Sequence, residues 1–368
     1  MSFITSLGTA VPPFRFDQAE IASFMEKVMN PDYEFTRKLR TIFKASGIDT
    51  RHSVLEDYGR DEEFTFYPND RDNEPFPSTE QRIRLYRQFA LPLSIEAIEN
   101  CLTGRAREIL VQITHLITVS CTGMYAPGLD IDIVKSLGLR DDVNRTSINF
   151  MGCYAAFNAL KIADSICRSD ANASVLIICT ELCTLHFQKE VTEDNLLANA
   201  LFADGAAAML VQRQPSSGWN LALETFHNAL AYNGHEHMAW SVGNLGFEMR
   251  LSTYVPEVIR TGIRKLTSTL LEKAGMNIPD VSYFAIHPGG RKILEAIQQE
   301  LGISRQHNDP SYRVLGRYGN MSSATVVFVL HEIVRQLGQT DNEKSVLCFA
   351  FGPGLTLESM LLKTQRHE

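Results

Sequence analysis

The sequence predicts an α/β fold built from two similar halves, and three observations carry that reading. Short β-branched runs alternate with longer helical patterns along most of the chain. A strand–helix spacing occurs twice: 32 residues separate Cys121 from Cys153, and 33 separate His287 from Asn320. In each case a strand ends at the first residue and a helix opens at the second. Both helices are followed by similar strands, Ser174-Val-Leu-Ile-Ile-Cys and Ser345-Val-Leu-Cys-Phe-Ala. The expected division is residues 1–212 for the first half, with Cys153, and 213–368 for the second, with His287 and Asn320. Gln212–Ser217 marks the boundary, where a strand gives way to Gln-Pro-Ser-Ser-Gly.

In chain order, 56–82 is rich in Asp, Glu, Pro and Asn and reads as a solvated loop or cap. The apolar helical period then predicts helices over 91–101, 154–168, 255–274, 291–301 and 323–337. Buried strands are expected over 111–120, 174–180, 206–211, 283–286 and 346–350. Pseudo-symmetry would bring the helix N-termini at Cys153 and Asn320 together at the centre.

A hydrophobic fraction of 44% and a charged fraction of 21% exclude wholesale disorder over these 368 residues. Net charge is −8, which argues against a nucleic-acid binder, since such proteins neutralise phosphates with a basic surplus. No apolar run reaches the about 18 residues of a membrane helix, and Met1–Val11 lacks the basic start of a secretory signal. Seven scattered cysteines suit free thiols in the cytoplasm better than a disulfide framework.

Three residues stand out chemically. Cys153 follows Gly152 and opens a helix through Ala155 and Ala156, so the positive end of the backbone dipole favours its thiolate. His287 ends a strand and enters Pro-Gly-Gly, where α/β active sites gather. Asn320 follows Gly319 at the second helix head; it can donate to an oxyanion or simply cap the helix. Cys101, Cys167, Cys179, Cys183 and Cys348 read as inert buried thiols, and His115 and His331 as packed side chains. His235 and His237 have no third ligand at convincing spacing, so no metal site is expected.

Met151-Gly-Cys, Ile286-His-Pro-Gly-Gly, Tyr318-Gly-Asn-Met-Ser-Ser and Ala350-Phe-Gly-Pro-Gly resemble the signatures of the type III polyketide synthases, the chalcone-synthase-like enzymes of the thiolase fold. Ala200-Leu-Phe-Ala-Asp-Gly-Ala-Ala and Leu137-Gly-Leu-Arg extend the likeness over nearly the whole chain. The resemblance implies layered αβαβα architecture, a homodimer and no permanently bound cofactor. Its substrates would be coenzyme A thioesters: malonyl-CoA and an acyl-CoA starter. Cys153 would carry the acyl chain, and His287 and Asn320 would assist the thiolate and stabilise the oxyanions. The pocket would be formed by Cys121, Glu181, His186, Phe202, Phe247, Ser322, Gly352, Pro353 and Gly354. Arg37, Arg40 and Lys44, on one helix face, would meet the coenzyme A phosphates, with Gly289 and Gly290 beside the pantetheine arm.

Departures from the plant pattern bear on the product. Ala126, His186, Cys121 and Ala350 stand where the plant enzymes have methionine, threonine, threonine and glycine. With Ala198 and Ala203, Ala126 suggests a cavity ringed by small residues. An aliphatic or malonyl starter is therefore expected, giving a pyrone, a resorcinol or another hydroxylated aromatic. Two other functions fit the same fold: a ketoacyl synthase III-type enzyme fed by acyl carrier protein, and a non-catalytic thiolase-fold subunit. The first usually shows His-Gln-Ala-Asn rather than His-Pro-Gly-Gly, and the second has no need of an intact Cys153, His287 and Asn320.

Overall fold

Strand and helix positions follow the two hydrophobic periods of the chain. A computed structural model describes residues 1–69, 75–104, 106–232, 237–252 and 254–368. Its strands are β1 (Phe3–Ala10), β2 (Phe14–Asp17), β3 (Thr50–Ser53), β4 (His115–Ser120), β5 (Asn144–Asn149), β6 (Ser174–Leu182), β7 (Asp204–Gln212), β8 (Gly218–Leu230), β9 (Met238–Gly243), β10 (Gly246–Leu251), β11 (Tyr283–Ile286), β12 (Ser345–Gly352) and β13 (Thr356–His367). The helices are α1 (Gln18–Met29), α2 (Tyr33–Ala45), α3 (Thr79–Cys101), α4 (Ala106–Leu110), α5 (Leu129–Leu137), α6 (Ala155–Ser169), α7 (Glu193–Leu201), α8 (Val255–Ala274), α9 (Arg291–Leu301), α10 (Asp309–Tyr318) and α11 (Thr325–Val334).

Nine strands form one sheet in the order β11-β12-β13-β8-β1-β7-β6-β4-β5. Its topology repeats. β4 and β6 are parallel, β7 is antiparallel to β6, and β1 antiparallel to β7. β11 and β12 are parallel, β13 is antiparallel to β12, and β8 antiparallel to β13. The two runs meet through only Phe3↔Ala222 and Ile4↔Leu221, between β1 and β8.

Strand alternation then sorts side chains into layers. Leu176 and Ile178 of β6 face outward, into a core shared with α1, α3 and α5. Val175, Ile177 and Cys179 face inward, against α6 and α11. In the other run, Val346, Cys348 and Ala350 of β12 also reach that middle layer. Leu347, Phe349 and Phe351 point the opposite way, to α8 and α9. The result is the αβαβα stack of the thiolase fold. Helix α11, buried from Thr325 through Leu330, is apolar around its circumference because sheet lies on both sides of it. Each such Val, Leu or Phe contributes about 1.5–3 kcal/mol by leaving water.

Several expected boundaries move. The strand expected from residue 111 starts at His115, because Val111 lies in an exposed turn after α4. The helix expected from Leu91 begins at Thr79 and runs through Pro92. Ser78 and Gln81 form a capping box at its start, and its buried face, including Tyr86, Ala90 and Leu93, continues across the proline. Within 56–82, residues 70–74 lie outside the described residues, and the rest forms a cap anchored by buried side chains before α3 begins at Thr79. Buried Asp57 accepts hydrogen bonds from the backbone N–H groups of Thr65, Phe66 and Tyr67, while Tyr58, Tyr67 and Phe76 pack around Phe24 and Phe187. The helix expected over 323–337 opens as a tight turn at Ser322–Ala324 and ends at Val334. Among the described residues, no helix is long and apolar enough to cross a membrane.

Candidate active site

Cys153 sits one residue before the cap of α6, on a turn that depends on two glycines. Gly152 has φ +87°, and a Cβ there would lie 2.1 Å from Pro353 Cδ. A Cβ on Gly352 would lie 2.6 Å from the Tyr154 ring and 3.3 Å from Cys153 N. Two loops from opposite runs of the sheet thus approach backbone to backbone only because side chains are missing at both places. Both loops are needed to seat one sulfur.

His287 is placed by the end of β11, its N–H donating to Phe349 O at 2.8 Å. Its ring is buried and neither nitrogen has a hydrogen-bond partner. Asn320 is held by its backbone N–H to Leu201 O, 2.9 Å. Its Oδ1 accepts from Ser322 N at 2.9 Å and lies 4.0 Å from Cys153 Sγ. That orientation turns Nδ2 toward Gly289 O, at 3.5 Å. Ser322 pays for its position with φ +47°, a left-handed conformation that side chains disfavour. Cys153, His287, Asn320 and Ser322 line one cavity of about 30 Å³, together with Cys121, Phe202 and Pro353.

Burial governs the electrostatics. It pushes the Cys153 thiol up to about 12, with hydrogen bonding to Ser322 and Asn320 opposing it. It drives the His287 imidazole down to about 3, with no charged neighbour compensating. Burial thus disfavours both charged forms, the Cys153 thiolate and the His287 imidazolium, and opposes the helix dipole at Cys153.

His186 is also driven to about 3 by burial. Between about pH 6.5 and 3 the unfolded chain binds protons at His186 and His287 that the folded chain refuses. Stability is therefore expected to fall as pH drops through that window. Asp204, pushed up to about 6 by burial, takes up a folded-state proton there and offsets part of the loss. Thermal melts from pH 7.5 to 5 check the slope, and His186→Gln should flatten it.

The remaining expected residues fall into three groups. Cys121 lines the cavity, and its sulfur accepts from Gly152 N at 2.9 Å. Glu181 lies behind that wall, accepting from Cys121 N and Thr122 Oγ1, each at 2.9 Å, and from Ser323 Oγ. The serine bonded to Glu181 is thus Ser323, while Ser322 faces Cys153. Phe247 stands one layer back, stacked on His186 with ring centroids 4.3 Å apart. His186 donates from Nε2 to Thr122 O and accepts at Nδ1 from Phe247 N, so it braces the β9–β10 hairpin rather than opening space. Gly352 and Gly354 shape the loop around Pro353. Of the small residues expected around the cavity, Ala203 lies in the middle core and Ala198 lines a neighbouring cavity, while Ala126 is exposed on the surface of the single chain.

Gly289 and Gly290 line a surface cleft of about 260 Å³ with Arg291, Lys292, Thr41 and Ala45. Leu251, Gly289 and Ile293 belong both to this cleft and to the Cys153 cavity, so they form the partition between surface and sulfur. Arg37, Arg40 and Lys44 are exposed on α2 but do not line the cleft. Arg40 is held by Glu26 through bonds of 2.6 and 2.7 Å. Arg291 and Lys292 are the cations at the cleft, and sequence reasoning passed over them because they open an ordinary amphipathic helix.

Other wall residues carry no motif. Met238, Trp240, Met249 and Leu251, from the β9–β10 hairpin, close one side of the cavity. Cys183, expected to be inert, is a third thiol in the same wall. Cys101, Cys167, Cys179 and Cys348 are buried and free. His235 lies outside the described residues; His237 packs near Tyr254, and no metal-ligating cluster occurs among the described residues.

Comparison with known proteins matches these features to one family. Residues 1–215 match the N-terminal domain of chalcone and stilbene synthases, and 223–365 the C-terminal domain. The chain is 32% identical to the alpha-pyrone synthesis polyketide synthase-like Pks18 of Mycobacterium tuberculosis, covering 98% of this chain and 91% of that protein. The C-terminal type III polyketide synthase domain of Steely1 from Dictyostelium superposes with a TM-score of 0.89 at 29% identity, covering 98% of this chain and 99% of that one. PKS-I of the brown alga Ectocarpus siliculosus gives the same score and identity, covering 98% of each chain. With both domains matched in order, on an αβαβα scaffold, the chain belongs to the chalcone and stilbene synthase family and is an acyltransferase of the type III polyketide synthase class.

Proposed function

We propose that this chain condenses malonyl-CoA units onto a CoA-linked starter carried by Cys153 and then cyclises the chain. The observation that carries this is the enclosed cavity where Cys153, His287 and Asn320 meet, one wall away from a surface cleft bearing Arg291 and Lys292. The cleft suits a pantetheine arm, with the two cations, and Arg37 and Lys44 nearby, available to phosphates. Coenzyme A is a substrate carrier here, not a resident cofactor.

Cys153 Sγ attacks the starter thioester carbonyl as its proton passes to neutral His287. The oxyanion accepts from Asn320 Nδ2, and the coenzyme leaves as a thiol with the proton from His287. Malonyl-CoA then loses carbon dioxide, and its enolate oxygen meets the same donors. The enolate carbon attacks the Cys153 thioester, freeing the sulfur and leaving the chain two carbons longer on coenzyme A. A neutral imidazole fits both roles, since it can take a proton at one nitrogen and donate from the other.

The narrow cavity, lined by Phe202, Trp240, Met238 and Phe351, favours an aliphatic or malonyl starter over a cinnamoyl ring. That replaces the ring of alanines as the reason for the preference. Products are then a pyrone, a resorcinol or another hydroxylated aromatic, and the likeness to a protein named for alpha-pyrone synthesis supports the first. Incubation with malonyl-CoA alone, then with a series of acyl-CoAs, should give such products by mass spectrometry. Preferred turnover of a cinnamoyl-type starter would overturn the assignment.

The protein acts as a cytoplasmic homodimer, each chain comprising the halves 1–212 and 213–368. Free thiols throughout fit a reducing compartment. Met124 and Met151, exposed beside the site, and the exposed edge strand β5 suit a partner surface. Light scattering at micromolar concentration should report a dimer, and a monomer would refute it.

A further inference from the structure

Helix α7 ends at Leu201, and its last backbone carbonyls need donors from outside the helix. Asn199 O accepts from Arg51 Nη1 and Ala200 O from Gln18 Nε2, each at 2.8 Å. Leu201 O accepts from Asn320 N at 2.9 Å, and Phe202 O from Arg51 Nη1 again, at 2.6 Å. Ala203 N then donates to Asn320 O at 2.9 Å, which joins the two segments as a parallel bridge. The backbone of Asn320 is thus one of the caps of α7, and Arg51 holds carbonyls on either side of it.

Arg51 also abuts the turn that carries Asn320. Gly319 has φ +70°, and a Cβ there would lie 2.9 Å from Arg51 Cδ and 3.0 Å from both Arg51 Cγ and Leu201 O. Stability alone does not account for an arginine here. Arg51 is 2% exposed, and its Nε donates to Gln18 Oε1 at 2.9 Å, so all its acceptors are uncharged. Its Nη2 is buried without a partner. Burial lowers the guanidinium only to about 10, so it stays charged at neutral pH. The carboxylate of Asp204 supports that charge from a distance, its oxygens accepting from Val54 N, Thr184 N and Thr184 Oγ1. A buried cation held this way costs the fold free energy that an apolar side chain would not, and such costs gather where function needs a fixed geometry.

We propose that Arg51 is a positioning residue for the reaction: by fixing the carbonyls on both sides of Leu201, it sets the backbone of Asn320 and aims Asn320 Nδ2 at the developing oxyanion. This rests on the reading of Asn320 as the oxyanion donor. Arg51 acts through Asn320 and not on the substrate. Without its guanidinium the Asn199 and Phe202 carbonyls lose their donor, and the end of α7 shifts with Leu201 O and the Asn320 N–H bonded to it. A displacement of this kind spares the Cys153 turn, which is seated by Gly152 and Gly352 instead.

The test is a double-mutant cycle read by carbon dioxide release from malonyl-CoA. Arg51→Gln should lower kcat about 10- to 100-fold with KM within about threefold of wild type. Iodoacetamide alkylation of Cys153, which forms no oxyanion, should stay within about twofold. In an Asn320→Ala background, Arg51→Gln should lower the rate by less than about twofold, because the group it aims is gone. An equal loss in both backgrounds, or a parallel loss of alkylation, overturns the proposal and makes Arg51 structural only. Gln18→Met frees Ala200 O and Arg51 Nε while leaving the buried cation in place. It should lower kcat about three- to tenfold with the same non-additivity. Should Arg51→Gln fail to fold, an unchanged kcat in Gln18→Met overturns the proposal. If Asn320→Ala alone decarboxylates at the wild-type rate, the oxyanion reading falls, and this one with it.

Discussion

Cys153→Ala is expected to abolish acyl loading and chain extension, by about three orders of magnitude or more, while malonyl-CoA decarboxylation persists. Loss of the sulfur removes the atom that forms the thioester, and none of the other side chains occupies its place before α6. The decarboxylation donors do not lean on it. His287 is fixed through its backbone to Phe349, and Asn320 through its backbone to Leu201 and its Oδ1 to Ser322 N. Alanine in this buried turn forfeits one polarisable atom and costs about 1 kcal/mol, so the fold stands. Carbon dioxide release and intact mass, measured on the same sample, separate the two steps. Continued polyketide formation would remove Cys153 from the role.

That division of labour explains which parts of the site were legible in the sequence. Cys153, His287 and Asn320 stand at ends of elements, where a glycine, a proline or a cap must accompany the side chain. Gly152 illustrates this, since its φ of +87° and its contact with Pro353 exclude any Cβ. Backbone necessity of this kind leaves a local motif. Trp240, Met238 and Arg51 reach their places by tertiary packing and carry no such mark. Arg51 looks like any basic residue on a short strand until β3, α7 and the Phe202 turn close over it.

The electrostatics were less legible still. A cysteine at a helix N-terminus reads as a thiolate, but the sign of the outcome depends on how much water the cavity retains. Here desolvation dominates both groups. Similarly, Pro92 made the start of α3 look later than it is. A proline in the sequence shows the cost to the helix but not the buried face of Tyr86, Ala90 and Leu93 that offsets it.

Asn320→Asp is expected to be the most damaging near-isosteric change at the site, lowering decarboxylation and condensation by about 100- to 1,000-fold. The geometry survives, because Asp Oδ1 can still accept from Ser322 N, as Asn320 Oδ1 does at 2.9 Å. The chemistry does not survive. The Nδ2 donor that faces Gly289 is replaced by a carboxylate oxygen, so an enolate or tetrahedral oxyanion meets repulsion where it had a hydrogen bond. A second effect follows from the 4.0 Å separation between Oδ1 and Cys153 Sγ. A negative charge there raises a thiol already held at about 12 and slows loading as well. The same carboxylate would raise the His287 imidazole from about 3, which gives the variant a signature that simple loss of a donor lacks. Asn320→Ala removes the donor without the charge, so it should retain faster Cys153 loading than Asn320→Asp at every pH where the carboxylate is ionised. Equal loading rates in the two variants would show that the charge is not felt at Cys153. A decarboxylation rate in Asn320→Asp close to wild type would remove Asn320 from oxyanion stabilisation.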